Sequence, residues 1–224
     1  MASAHRIQIK GLIRFSYLSQ NGFSQSAQGL EKTRALLYDP ARLDRRFALF
    51  EQLALHSLAL QDDPDFSVAV LIGDSLPDTA RARLENLLVD FKQAHLVALP
   101  PLVHIQAVKQ AFAVLPDDPK ASHIASFRQD DDDAMHRATL GRIRTMGMTL
   151  LQSRETKRPF VIGFNRGFYF DPAAAEPISE WYERTPLGIG LAMVGASTGS
   201  APRARNRRDS SLACWRVRGS TRAR

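Results

Sequence analysis

The clearest hydrophobic pattern in the chain is Phe66-Ser67-Val68-Ala69-Val70-Leu71-Ile72-Gly73, a β-branched run that is apolar at odd and even positions alike. Such a run reads as a strand buried on both faces, the habit of parallel sheets. Residues 7–18 mix alternation with a continuous patch (Ile7, Ile9, Leu12, Ile13, Phe15, Tyr17) and end in the turn-forming Ser19-Gln20-Asn21-Gly22. Leu43, Phe47, Phe50, Leu53, Ala54, Ser57 and Leu58 recur at helical spacing. They predict a helix over 40–61, with Asp39 as N-cap and Pro40 at its first position.

The same alternation continues. Asp78 opens a helix through Ala82, Leu84, Leu87, Leu88 and Phe91, and 95–99 is a short strand stopped by Pro100-Pro101. A helix over 103–115, a strand over 124–129 and a helix from Ala134 towards Gln152 follow. Phe160-Val161-Ile162-Gly163-Phe164 and Gly167-Phe168-Tyr169-Phe170-Asp171 read as a hairpin turning at Asn165-Arg166. Residues 178–184 read as a short amphipathic helix and 187–194 as a last strand. Strands alternating with helices imply right-handed crossovers and an α/β domain, a mostly parallel sheet with helices on both faces.

Beyond Gly195 no hydrophobic period survives, and Gly, Ser, Ala, Pro and Arg dominate. A segment of that composition cannot bury enough surface to offset its ordering entropy. The expected organisation is one domain over 1–194 and a disordered basic tail over 195–224. Residues 201–224 hold eight arginines and one acid, Asp209, so the net charge of +7 resides there and the first 200 residues balance. A pI of about 10 therefore describes an appendage. The tail's mixture of residues also matches out-of-frame translation of a GC-rich gene, an idea that resequencing tests. Cys214 is the single cysteine, which excludes an intrachain disulfide framework and a cysteine-rich zinc site. With no apolar run long enough to span a membrane and no signal-peptide core, the expected setting is soluble and cytoplasmic.

No glycine-rich phosphate loop is present; Gly188-Ile189-Gly190 lacks a third glycine and stands late in the chain. A Gly-x-Ser-x-Gly elbow is also missing. What the sequence does offer is Asp130-Asp131-Asp132-Asp133 at the end of the 124–129 strand. Adjacent carboxylates repel one another unless a cation sits among them. Mg²⁺ or Mn²⁺ takes one or two carboxylates and completes its shell with water and substrate phosphates. In open α/β sheets, ligands bind beyond the carboxyl ends of the strands, where this run falls. The plainer reading is a solvated acidic turn. His104 and His123 read as surface or sheet-end residues, and His136 as a weak candidate for an extra metal contact.

Four segments carry a resemblance: Gly11-Leu12-Ile13-Arg14-Phe15-Ser16-Tyr17; Arg42 to Glu51 running on to Leu58 and Gln61; Val70 to Pro77; and Asp130 to Ala134. Together they make the chain resemble a metal-dependent glycosyltransferase of the GT-A fold, and more narrowly the bacterial rhamnosyltransferases. The resemblance implies a nucleoside-diphosphate sugar as donor and an unspecified glycan or other acceptor. It places a Mn²⁺ or Mg²⁺ ion on Asp130 and Asp132, with Asp130 also contacting the sugar nucleotide and Asp131 pointing away. Arg14, Ser16 and Tyr17 are then base or ribose neighbours, or else ordinary strand residues. Arg128 either ion-pairs within the acidic cluster or reaches a phosphate. An inverting transfer needs a carboxylate base, and Asp171 and Asp133 are the two candidates. Phe164, Phe168, Tyr169, Phe170, Trp181 and Tyr182 are either a sugar-stacking wall or core. Two rival classes stand beside this one: a non-catalytic domain whose arginine tail binds nucleic acid or anionic surfaces, although no nucleic-acid fold accompanies the tail, and a metal-dependent phosphohydrolase.

Overall fold

A computed structural model describes residues 5–20, 29–153, 158–171 and 175–197. In chain order the elements are β1 (Ile7–Arg14), α1 (Leu30–Leu37), α2 (Pro40–Leu49), a π-helical segment (Phe50–Leu55), α3 (His56–Ala59), β2 (Phe66–Gly73), α4 (Asp78–Leu88), β3 (Ala94–Leu99), α5 (His104–Val114), β4 (His123–Asp130), α6 (Thr139–Ser153), β5 (Phe160–Ile162), β6 (Arg166–Phe170), β7 (Ile178–Tyr182) and β8 (Ala192–Ala196). Six strands form one sheet in the order β3-β2-β1-β4-β8-β5. The first four are mutually parallel, and β8 runs antiparallel to both β4 and β5. The expected α/β architecture, a mostly parallel sheet flanked by helices, is present. Of the tail expected over 195–224, Gly195 and Ala196 are instead paired with β4 as the end of β8, which corrects the domain end at 194. Residues 198–224, and with them the frame-shift idea, fall outside the described residues, as do Asn21 and Gly22 of the predicted turn.

Both faces of the central strands are covered, as their unbroken apolar runs require. Ile7, Ile9, Ile13 and Phe15 of the β1 segment join Phe66, Val68, Val70 and Ile72 of β2 and Ala125 and Phe127 of β4 in one core with α2, α4 and α6. Leu12, Ala69 and Leu71 face the other way, against Ala107 and Ala111 of α5. Gly11 is opposite Phe127 in the β1–β4 register, and a Cβ there would run into the Phe127 ring, so this close approach needs a glycine.

The helix predicted over 40–61 begins where its capping chemistry says. The Asp39 side chain accepts from Arg42 N–H at 2.9 Å, with Pro40 as the first residue. It continues through the π-helical segment, an i→i+5 widening of the kind often found near functional sites. Phe15, just past β1, packs on Phe47 (4.7 Å between ring centroids) and Phe50 (5.4 Å). This aromatic group anchors α2 over the carboxyl end of β1.

Four expectations are corrected. The helix after the acidic run starts at Thr139, not Ala134, because Gln61 captures the intervening backbone: its Nε2 donates to His136 O (3.1 Å) and its Oε1 accepts from Leu140 N–H (3.0 Å). His136 therefore lies in a loop. The predicted hairpin of 160–171 does not form. Phe164 O accepts from Leu187 N–H (2.7 Å) and Asn165 O from Glu183 N–H (2.8 Å), so the strand that follows pairs with a later segment. Accordingly β5 sits in the main sheet with β8, while β6 pairs with β7 as a separate ribbon. Residues 178–182 are strand rather than helix, since their backbone partners lie across that ribbon. The last strand is displaced to Ala192–Ala196.

Candidate active site

The strand order reverses at β1: the chain steps outward through β2 and β3, then returns to place β4 on the other side. Crevices at such switch points, beyond the carboxyl ends of the strands, are where α/β sheets hold ligands. In the β1–β4 register Arg14 lies opposite Asp130, so each strand delivers a charged residue to that edge at its last position. A cavity of about 270 Å³ opens here, lined by Arg14, Ser16, Tyr17, Ser19, Thr33, Leu37, Arg42, Arg46 and Asp130 to Asp132. A second hollow of similar volume, beside α6 (Asp62, Ala138, Gly141, Arg142, Thr145, Met146), brings together no comparable set of charges.

The acidic run is a turn closed by Asp133 N–H donating to Asp130 O at 3.2 Å. Gln129, buried in β4, braces it from beneath. Its Nε2 donates to Asp133 O (2.7 Å) and to Ser57 Oγ (3.3 Å). The turn is thus fixed to α3 as well as to the sheet.

The cations that four adjacent carboxylates demand are supplied by the protein itself. Arg14 Nη2 lies 3.3 Å from Asp130 Oδ1. Arg46, from α2, reaches two aspartates: Nε donates to Asp131 Oδ2 at 3.1 Å, Nη2 pairs with Asp131 Oδ1, and Nη1 meets Asp132 Oδ2 at 2.7 Å. The Asp131 side chain is only 3% exposed, against 61% for Asp130 and 42% for Asp132. Asp131 is buried yet still borders the cavity, and a bidentate guanidinium compensates its charge. Asp133 has a different balance. Burial, then the charges of Asp130 and Asp132, push its carboxyl up to about 7.

Ser16 holds a left-handed backbone at φ 47°, the one positive φ outside glycine among the described residues. Its hydroxyl accepts from Arg42 Nη1 at 3.0 Å, so the strained residue and α2 meet at the cavity wall. Tyr17 reaches across to the loop after β3; its hydroxyl donates to Pro100 O (2.7 Å) and accepts from Leu102 N–H (3.0 Å). Arg128 points to the α5 face, where Nη1 meets His104 Nε2 at 3.1 Å. Burial there, with the charges of Arg14 and Arg128, lowers the His104 pKa to about 4.

The fold therefore assembles Arg14, Ser16, Tyr17, Asp130 and Asp132 in one cavity, with Asp133 in the same turn. Arg128 and Asp171 are not among the lining residues, and Asp171 follows β6 at the end of the outlying ribbon. The aromatic set does not form one wall. Phe164 packs against the main core, whereas Phe168, Tyr169, Phe170, Trp181 and Tyr182 are exposed, which corrects the alternative that they are core. Arg42 and Arg46 were missed as site residues. Each stands one position before a core residue, Leu43 or Phe47, so in the sequence both look like the solvated flank of an amphipathic helix.

Among the described residues no helix is long and apolar enough to cross a membrane. No curated protein matches the chain. Among solved structures, the S. aureus protein TarS, residues 1–349 in complex with UDP-GlcNAc, aligns at 15% identity and a TM-score of 0.41. That alignment covers 76% of this chain and 37% of TarS, so the chain spans little more than a third of that structure. The family model described as "Putative rhamnosyl transferase" matches residues 8–203, nearly the whole chain and somewhat beyond the domain end expected at 194. The chain belongs to that family.

Proposed function

We propose that the protein transfers a sugar, rhamnose by its family, from a nucleoside-diphosphate donor to an acceptor hydroxyl on a glycan or other acceptor, with Mn²⁺ or Mg²⁺. The observation that carries this reading is the cavity at the β1–β4 switch point, where carboxylates and guanidiniums converge in a fold without a glycine-rich phosphate loop.

The donor set suits such an ion. Asp130 and Asp132 offer hard oxygen ligands at the solvent side of the turn. Among the described residues no three His, Cys, Asp or Glu side chains form an all-protein cage. A Mg²⁺-like ion held by one or two carboxylates, water and substrate phosphates needs none. When bound, the ion would offset charge on the departing nucleoside diphosphate.

The remaining roles fall to the chain's own groups. Arg14 and Arg46 orient the two carboxylates, and Arg46 buries Asp131 as its anchor. Ser16 and Tyr17 line the wall on the nucleoside side. Asp133 is the preferred proton acceptor for the acceptor hydroxyl, because it shares the turn with the cavity carboxylates, while Asp171 sits on the outlying ribbon. Arg128 is assigned no phosphate contact, because its guanidinium meets His104 on the α5 face and it is not among the residues lining the cavity.

Calorimetric titration of nucleoside-diphosphate sugars with and without Mn²⁺ tests the reading. Mn²⁺ should tighten binding about tenfold or more, and that gain should be lost in an Asp130→Ala, Asp132→Ala double variant. Binding that Mn²⁺ does not tighten, or binding in Mn²⁺ that is undiminished in that variant, would overturn it.

A further inference from the structure

Three arginines reach the cavity, and two of them are matched by carboxylates. Arg14 pairs with Asp130, and Arg46 with Asp131 and Asp132. Arg42 is different. Its hydrogen bonds go to two uncharged oxygens, Ser16 Oγ at 3.0 Å and Leu37 O at 2.9 Å, and both leave from Nη1. Among the described residues its Nε and Nη2 have no hydrogen-bond partner, and no carboxylate lies within the 4.0 Å of an ion pair. The guanidinium is partly buried. Burial and the neighbouring Arg46 charge hold its pKa below the usual arginine value, and the fields of Asp132 and Asp39 offset this only in part.

A half-desolvated cation with neutral contacts beside a second cation is an uncompensated arrangement. An anion between them would relieve both terms, and the planar Nε–Nη2 edge is shaped for two oxygens of one phosphate. The holding contacts fit that task. Ser16 Oγ and the Leu37 carbonyl fix the plane of the guanidinium through Nη1 and leave the other edge for a ligand.

We propose that Arg42 is the anion receptor of the cavity, binding a phosphate of the donor diphosphate through Nε and Nη2. This rests on the nucleotide-sugar reading above and extends it: part of the diphosphate affinity needs no metal ion. Ser16 is then a positioning residue, acting on the phosphate through Arg42.

The test is calorimetric titration of the full chain with inorganic pyrophosphate in EDTA. Wild type should bind. Arg42→Met should weaken binding about tenfold or more, the worth of one charge-assisted hydrogen bond. Arg42→Lys, which keeps the charge and loses the fork, should fall between, and Ser16→Ala should lose a few-fold. The Asp130→Ala, Asp132→Ala variant, stripped of two negative charges, should bind pyrophosphate at least as tightly as wild type. No pyrophosphate binding in EDTA, or an Arg42→Met affinity within twofold of wild type, overturns the proposal. If thermal melting shows that Arg42→Met is unfolded, unchanged affinity in both Arg42→Lys and Ser16→Ala overturns it instead. The two readings fail separately. Pyrophosphate binding through Arg42 without any sugar-nucleotide binding would sink the donor assignment alone; metal-dependent sugar-nucleotide binding indifferent to Arg42 would sink this one alone.

Discussion

Two clusters of functional-looking side chains in this fold are held in opposite ways. The arginine–aspartate cavity is held by bonds between residues far apart in sequence: Arg46 and Asp131 are 85 positions apart, and Arg14 and Asp130 are 116 apart. The β6–β7 ribbon is held by neighbours, with Arg166 and Glu180 only 14 apart. Its aromatic residues, from Trp181 at 47% to Tyr182 at 69% exposed, remain on the surface, and Tyr169 and Trp181 meet edge to face at 5.6 Å between centroids. Polar groups are locked in at one place and apolar groups left out at the other. Residue type alone predicts the reverse, so what separates the regions is whether the global topology brings partners.

The largest break in that contrast should come from Arg46→Met. It strands Asp131 as a buried, unpaired carboxylate, a loss typically costing about 3–5 kcal/mol. Urea unfolding would measure it, and adding Asp131→Leu should restore most of the loss; a single variant as stable as wild type would mean that the pair is not what holds the turn.

A smaller effect is expected at His104, faced by Arg14 from β1 and Arg128 from β4. Its pKa is about 4 in the folded protein, below the ordinary 6.5, so the unfolded chain binds the proton more readily. The neutral ring's contribution is then complete above pH 6.5 and drains away as pH falls towards 4. In His104→Gln, melting temperature should decline less steeply across that window than in wild type.

The smallest change should come from the ribbon. Phe168→Ser or Tyr182→Ser removes an exposed ring and should alter unfolding free energy by no more than about 0.5 kcal/mol. A larger loss would show that the ribbon is packed against something in solution, and the contrast with the cavity would narrow.

Legibility in the sequence follows the same division. Phe66–Gly73 was read to the residue because an unbroken β-branched run between turn signals has one economical interpretation. The start of α2 was legible because Asp39 and Pro40 act within one turn. Features whose cause lies elsewhere in the chain were not. Gln61 delays α6 from a distance of 79 positions, and the pairing of Arg166–Phe170 with Ile178–Tyr182 depends on what residues 183–187 do to Asn165 and Phe164. The eight residues of α1 carry too weak a stripe, with Thr33 and Leu37 as the buried positions, to announce themselves. The acids of the site were visible as a run, whereas its arginines were hidden in the pattern of an ordinary helix.

Tyr17 has a mechanical consequence. One phenolic oxygen ties the chain leaving β1 to both Pro100 and Leu102 beyond β3, spanning β2. Those two loops cannot drift apart without breaking two hydrogen bonds at a single atom. With Ser19 and Gln20 bonded to the same loop, the cavity wall that Tyr17 and Ser19 supply is moored to the far side of β2 before any ligand arrives.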